Sequence, residues 1–241
     1  MNIFLFLLVV SFFSPVIEAD KYTEIAGLPP IPSYNLKNTK DKISVDGKLA
    51  EKAWAKATPI VLMFPWDFQT GKKQRTTVKL LRDENNLYVG YECEDFDITA
   101  TFEKRDDPVY KDDCVEIFIN PNPAADHYFG FEMNATGILY DYFYSYPTKH
   151  DMTPNLEGIQ LKTVMNGTLN QSSDQDRSWT LEVAIPFKSL NVSPKKGDQW
   201  RIQINRWDGT EPDRRLSMWS NSGMKKANPH NPERFGNLLF K

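Results

Sequence analysis

Apolar and polar residues alternate over short stretches of this chain, and turn-forming residues separate most of the stretches. A period of two marks a half-buried strand. The central stretch is Tyr110-Lys-Asp-Asp-Cys-Val-Glu-Ile-Phe-Ile-Asn-Pro121, read here as one strand stopped by Asn-Pro. Successive side chains point to opposite faces. Val115, Ile117 and Ile119 therefore form a core face, while Asp112, Cys114, Glu116 and Phe118 share the other.

The same pattern recurs along the chain. Ile43 to Leu49 reads as a short strand into an Asp-Gly turn, and Leu49 to Ala57 as a turn or two of helix with Trp54 inward. Thr76–Leu81 and Leu87–Cys93 form a hairpin around the turn Asp83-Glu-Asn-Asn86. Further strands are expected at His127–Asn134, Ile138–Tyr146, Leu161–Leu169, Trp179–Pro186, Trp200–Arg206, Leu216–Trp219 and Asn237–Lys241. Many short strands and one short helix predict an all-β fold, an antiparallel β-sandwich of jelly-roll or immunoglobulin-like type.

Length and composition fit one such domain. The chain has 241 residues, 40% hydrophobic, 13% aromatic and 25% charged. A net charge of -3 gives no basic excess for nucleic acid or an anionic membrane. Residues 1–19 read as a signal peptide, an apolar run broken by Pro15 and followed by Ile17-Glu18-Ala19 as a cleavage site. The expectation is an exported, released and monomeric protein, with a retained N-terminal anchor as the alternative. Residues 20–42, with Pro29, Pro30 and Pro32, read as an extended lead-in or linker, and 43–241 as the domain. Cys93 and Cys114 are open to either reading, a disulfide or two buried thiols. His127, His150 and His230 are scattered and read as surface or structural residues.

Candidate chemistry comes from the strand faces. Glu116, then Glu132 with Asn134, then Gln203 with Asn205, put carboxylates and amides in mid-strand opposite apolar residues. Carboxylates and amides hydrogen-bond pairs of sugar hydroxyls, and aromatic rings stack on the apolar faces of a pyranose. Tyr110, Trp207 and Trp219 lie at strand ends where such rings are needed. A solvated sheet face is the other reading, and both stay open at this point. Glu116 with Glu132 would also supply the two carboxylates of a glycoside hydrolase. A haem-binding electron-transfer sandwich, drawing on Met63, Met133 and His127, is a third class. Asp83, Asp95, Asp97, Asp106 and Asp107 fall in loops, where oxygen-rich segments either hold Ca²⁺ or are simply solvated. Asn-x-Ser/Thr sequons occur at Asn134, Asn166, Asn170 and Asn191.

The order of these pieces resembles carbohydrate-binding module family 9. The pieces are Val45-Asp46-Gly47 with Glu51 and Trp54; Asp83 to Val89; Asp113 to Phe118; Phe131 to Asn134 before Gly137; Trp179-x-x-Glu182-x-x-Ile185-Pro186; and Asn231-Pro-Glu-Arg-Phe-Gly-Asn-Leu238. The resemblance implies a β-sandwich that binds xylan- or cellulose-derived chains, carries structural Ca²⁺ and is commonly attached to xylanases. It implies binding roles for Tyr110, Glu116, Asn134 and Gln203. It also expects an Arg where Glu132 stands, and a second stacking Trp where Pro229 and His230 stand. Trp219 is the replacement chosen for that ring. The expectation is thus a non-catalytic sugar-binding protein working beside secreted glycoside hydrolases, with Tyr110 and Trp219 stacking and Glu116, Asn134 and Gln203 bonding hydroxyls.

Overall fold

The computed structural model describes residues 27–125, 127–145 and 155–241. The signal-peptide reading, His150 and the end of the strand expected at Ile138–Tyr146 lie outside them. Twelve strands are described: β1 Ser33–Leu36, β2 Ile60–Val61, β3 Thr76–Arg82, β4 Asn86–Glu94, β5 Cys114–Asn120, β6 His127–Asn134, β7 Leu139–Ser145, β8 Gln160–Asn166, β9 Ser178–Pro186, β10 Gln199–Asp208, β11 Arg215–Met218 and β12 Gly236–Phe240. The one described α-helix, α1, is Lys52–Lys56. It is too short to cross a membrane, and no described helix is long and apolar enough to do so.

The strands form two sheets. One has seven strands, ordered β1-β12-β10-β5-β6-β7 with β11 also on β10; the other has five, ordered β2-β3-β4-β9-β8. All pairings are antiparallel except β1 with β12. The core lies between the sheets. Val115, Ile117, Ile119, Phe131, Met133, Ile202 and Ile204 meet Val78, Leu80, Val89, Tyr91, Leu181 and Val183 across it. The alternation along each strand places these residues inward, so the β-sandwich stands as read.

Two local readings change, and a third, the lead-in as an extended strand or a linker, is partly settled. Tyr110 is not in the central strand: Val109–Lys111 is a 3₁₀ turn, and β5 begins at Cys114. The reason is in the acids before it. Asp112 accepts from the N–H groups of Thr101 and Phe102, and Asp113 from that of Thr99, so these side chains fasten a neighbouring loop instead of joining the ladder. No strand forms at Ile43–Leu49. There the carboxylate of Glu182, on β9, accepts from the N–H groups of Asp46 (3.0 Å) and Gly47 (3.1 Å) and from Trp54 Nε1 (3.1 Å). Part of the lead-in is a strand: β1 is the edge of the larger sheet, beside β12.

Cys93 and Cys114 are buried free thiols on different sheets. Burial pushes the Cys93 thiol up to about 12.

Candidate functional site

The outer face of the larger sheet is covered and hollowed. A cleft of about 390 Å³ opens there, lined by Tyr110, Glu116, Glu132, Tyr140, Tyr142, Tyr144, Trp207 and the segment Ala227 to His230. Strands β5, β6 and β10 supply its floor by register. Glu116 lies opposite Glu132 on one side and opposite Asn205 on the other. Strand β7 brings Tyr140, Tyr142 and Tyr144 to the same face at a period of two. Gly130 makes room for one of them: a Cβ there would stand 2.2 Å from the ring of Tyr142, its register partner.

Glu116 is buried, not solvated, at 1% exposure. Burial pushes its carboxyl up to about 7, against the pull of Arg214 and of Asn205 Nδ2, which donates to it at 3.2 Å. The Asn205 side-chain oxygen is buried and has no donor among the described residues. Arg214 fixes the rim. It donates to the main-chain carbonyls of Tyr110 and Asp112, and its guanidinium lies 4.3 Å from the centre of the Trp207 ring. At the far side, His230 stacks on Phe118 (4.8 Å, 16°) and on Tyr144 (5.3 Å, 18°), with Nδ1 2.7 Å from Tyr128 Oη. The histidine is packed into an aromatic cluster.

The structure places two of the expected site residues, Tyr110 and Glu116, in the cleft. The other three have different surroundings. Asn134 is fully buried; its Nδ2 donates to Phe102 O and Asp112 Oδ2, and its Oδ1 accepts from Thr136 Oγ1 and from the N–H of Ile138. It closes the β6–β7 turn. Gln203 is equally buried and brackets Ser220, donating to its carbonyl at 2.6 Å and accepting from its N–H at 3.1 Å. Trp219 belongs to the inter-sheet core, lying over Gly236, where a Cβ would come within 2.3 Å of its ring. Alternation explains it: Met218 faces outward on β11, so the next residue turns in.

Sequence reasoning had Trp207 among its candidate rings and did not choose it. It passed over Tyr140, Tyr142 and Tyr144, although their i, i+2, i+4 spacing was the signal that would have found them.

The acidic residues expected to hold Ca²⁺ do not gather as a set. Asp95 does meet Asp113 and Asp208, all buried, with ligand oxygens within 4.8 Å of one another. Two guanidinium groups already serve them. Arg206 Nη2 is 2.9 Å from Asp95 and 2.7 Å from Asp208, and Arg215 Nη2 is 2.7 Å from Asp208. Calcium needs about six to eight oxygens and would share this space with a buried cation, so this cluster does not fit it. The haem candidates also stand apart: Met133 is in the core, while Met63 is exposed and paired through its backbone with Met218.

The model of the carbohydrate family 9 binding domain-like family matches residues 45–241. The chain belongs to this family. Among curated relatives, it is 26% identical over 179 residues to a protein named "Extracellular protein" from Arthroderma benhamiae, covering 69% of this chain and 78% of that one. It is 25% identical over 197 residues to endo-1,4-beta-xylanase C of Paenibacillus barcinonensis, covering 82% of this chain but only 16% of the enzyme. The fold is shared with a candidate carbohydrate-binding protein from Bacteroides uniformis (TM-score 0.75, 18% identity, 88% of this chain and 100% of that one). It is also shared with a family 9 module of Caldicellulosiruptor kristjanssonii solved with cellotriose (TM-score 0.61, 17% identity, 87% and 93% covered).

Proposed function

We propose that the protein binds oligo- or polysaccharide chains in the aromatic cleft of its larger sheet. The observation that carries this is the lining itself: a buried carboxylate and amide, Glu116 and Asn205, stand among the rings of Tyr110, Trp207 and the β7 tyrosines. In this reading Tyr110 and Trp207 present faces to the pyranose, and Glu116 and Asn205 accept from its hydroxyls. Family membership supports the same conclusion, as do the cellotriose and glucose bound to the Caldicellulosiruptor module.

The finer reading is an exported protein in polysaccharide breakdown, acting on xylan- or cellulose-type chains beside glycoside hydrolases. Its supports are the likeness to an extracellular fungal protein and to a stretch of a xylanase. Titration calorimetry with xylo-, cello- and manno-oligosaccharides tests both levels. Saturable binding to one series is expected, abolished by Glu116→Ala in a variant that still folds. Full binding by the folded variant would remove Glu116 from the site, and no binding to any series would end the sugar reading of the cleft.

A further inference from the structure

We infer that the sugar site continues past the cleft onto the loop 62–70, where Phe68 gives a longer chain a further stacking platform. This rests on the reading of the cleft as a sugar site.

Position carries the argument first. Trp66 is buried in a cluster with Leu216 and Met218, and Trp207, Met224 and Ala227 pack against that cluster. Trp207 and Ala227 also line the cleft. The Phe68 ring lies 6.3 Å from the Trp66 ring. Phe68 thus borders the cluster that backs the cleft wall.

The ring is also held in place. Phe68 is 59% exposed, yet its loop is pinned on both sides. Met63 and Met218 exchange backbone hydrogen bonds at 2.9 and 2.8 Å. Trp66 Nε1 donates to the carbonyl of Met224 at 2.7 Å. Gln69, buried, donates to the carbonyl of Leu216 and accepts from its N–H. Thr70 Oγ1 donates to Asp213 at 3.0 Å. A ring fixed in this way loses little freedom when a ligand settles on it.

The chemistry around the ring suits a sugar. Asp67, the neighbour of Phe68, is exposed, and its carboxylate has no partner among the described residues. A ring face with a carboxylate acceptor next to it combines stacking and hydroxyl bonding, as the cleft does. A protein partner fits the loop less well. With Val61 and Met63, Phe68 makes three exposed large apolar side chains on residues 60–70. A standard protein interface uses roughly 20–30 residues a side.

The test is calorimetry with cello-, xylo- and manno-oligosaccharides of two to six units. The full chain is used, as wild type, Phe68→Ala and Phe68→Tyr. In the series that binds, the six-unit chain is expected to bind the wild type at least about fivefold tighter than the two-unit chain. That ratio should fall at least about threefold in Phe68→Ala and be kept in Phe68→Tyr, which retains the ring. A wild-type ratio near one overturns the inference and leaves the cleft as a sugar site, and this arm needs no variant to fold. A ratio unchanged in folded Phe68→Ala also overturns it, whether both lengths bind as before or weaken together. Binding of no series at any length overturns the sugar reading itself.

Discussion

Two groups of buried acids lie near β5 and β10, and they have opposite surroundings. On the inner side, Asp95, Asp113 and Asp208 meet two guanidinium groups, Arg206 and Arg215. On the outer side, Glu116 and Glu132 meet aromatic rings, an amide and each other. Buried charge is tolerated when it is paired and hydrogen-bonded. The inner acids satisfy that rule within the protein, so they are structure. Glu116, by contrast, is bonded by the Asn205 amide and drawn by Arg214, and it stands at the wall of an open cleft. An acid at the wall of a cleft is the one within reach of a ligand.

The inner cluster should break the fold, and the outer pair should not. Arg206 is fully buried. Arg206→Met leaves Asp95 without its ion-pair partner and Asp208 with Arg215 alone, and a loss of about 3–5 kcal/mol is expected in chemical denaturation. A loss under about 1 kcal/mol would mean that the inner cluster is not what holds these loops.

The two aromatic candidates from the sequence sharpen the same contrast. Trp219→Ala empties a core site and should cost about 3–5 kcal/mol of stability. Tyr110, 39% exposed at the rim, should behave in the opposite way. Its change to Ala should leave the melting temperature nearly constant and weaken oligosaccharide binding by about tenfold. Equal destabilisation by the two substitutions would erase the distinction between core and rim.

The smallest effect is a pH slope. Glu116 ionises at its usual value of 4.5 when unfolded and near 7 when folded. Between those values the folded state binds more protons than the unfolded one, so this group makes stability fall as pH rises through the window. Glu116→Gln removes that slope. In thermal melts across pH the variant should gain on the wild type from about pH 4.5 upward and lead it most above about pH 7. Asp113 shifts in the same direction, also to about 7, and remains in both proteins. Parallel melting curves for the two proteins would show that Glu116 is not held protonated.

How much of this was legible in the sequence follows from what its motifs do. Val45-Asp46-Gly47, Trp54 and Glu182 proved to be one hydrogen-bonded unit, joined across the chain. Asp83 caps the turn at Asn85 and Asn86, at 2.7 Å each. Asn134 closes the next turn. These pieces are recognisable because turns and buried bonds tolerate few residue types, so they announce the fold. Alternation also placed Glu116 on the right face. It could not say which outward amides would be consumed by neighbouring backbone, as Gln203 is by Ser220. That depends on a loop folding back, which no local period records. Trp219 and Trp207 were a different case. Alternation along β10 puts Trp207 on the face of Gln203 and Asn205, and alternation after Met218 turns Trp219 inward, so this choice was legible and was missed.

The most direct measurement follows Trp207 itself. Trp54, Trp66, Trp179, Trp200 and Trp219 are buried and do not line the cleft, so an oligosaccharide entering it meets the indole of Trp207 first. Intrinsic fluorescence titrated with cello- and xylo-oligosaccharides should show a saturable change in the wild type, and Trp207→Phe should lose most of it. A saturable change of full size in the folded Trp207→Phe protein would place the sugar elsewhere and contradict the account.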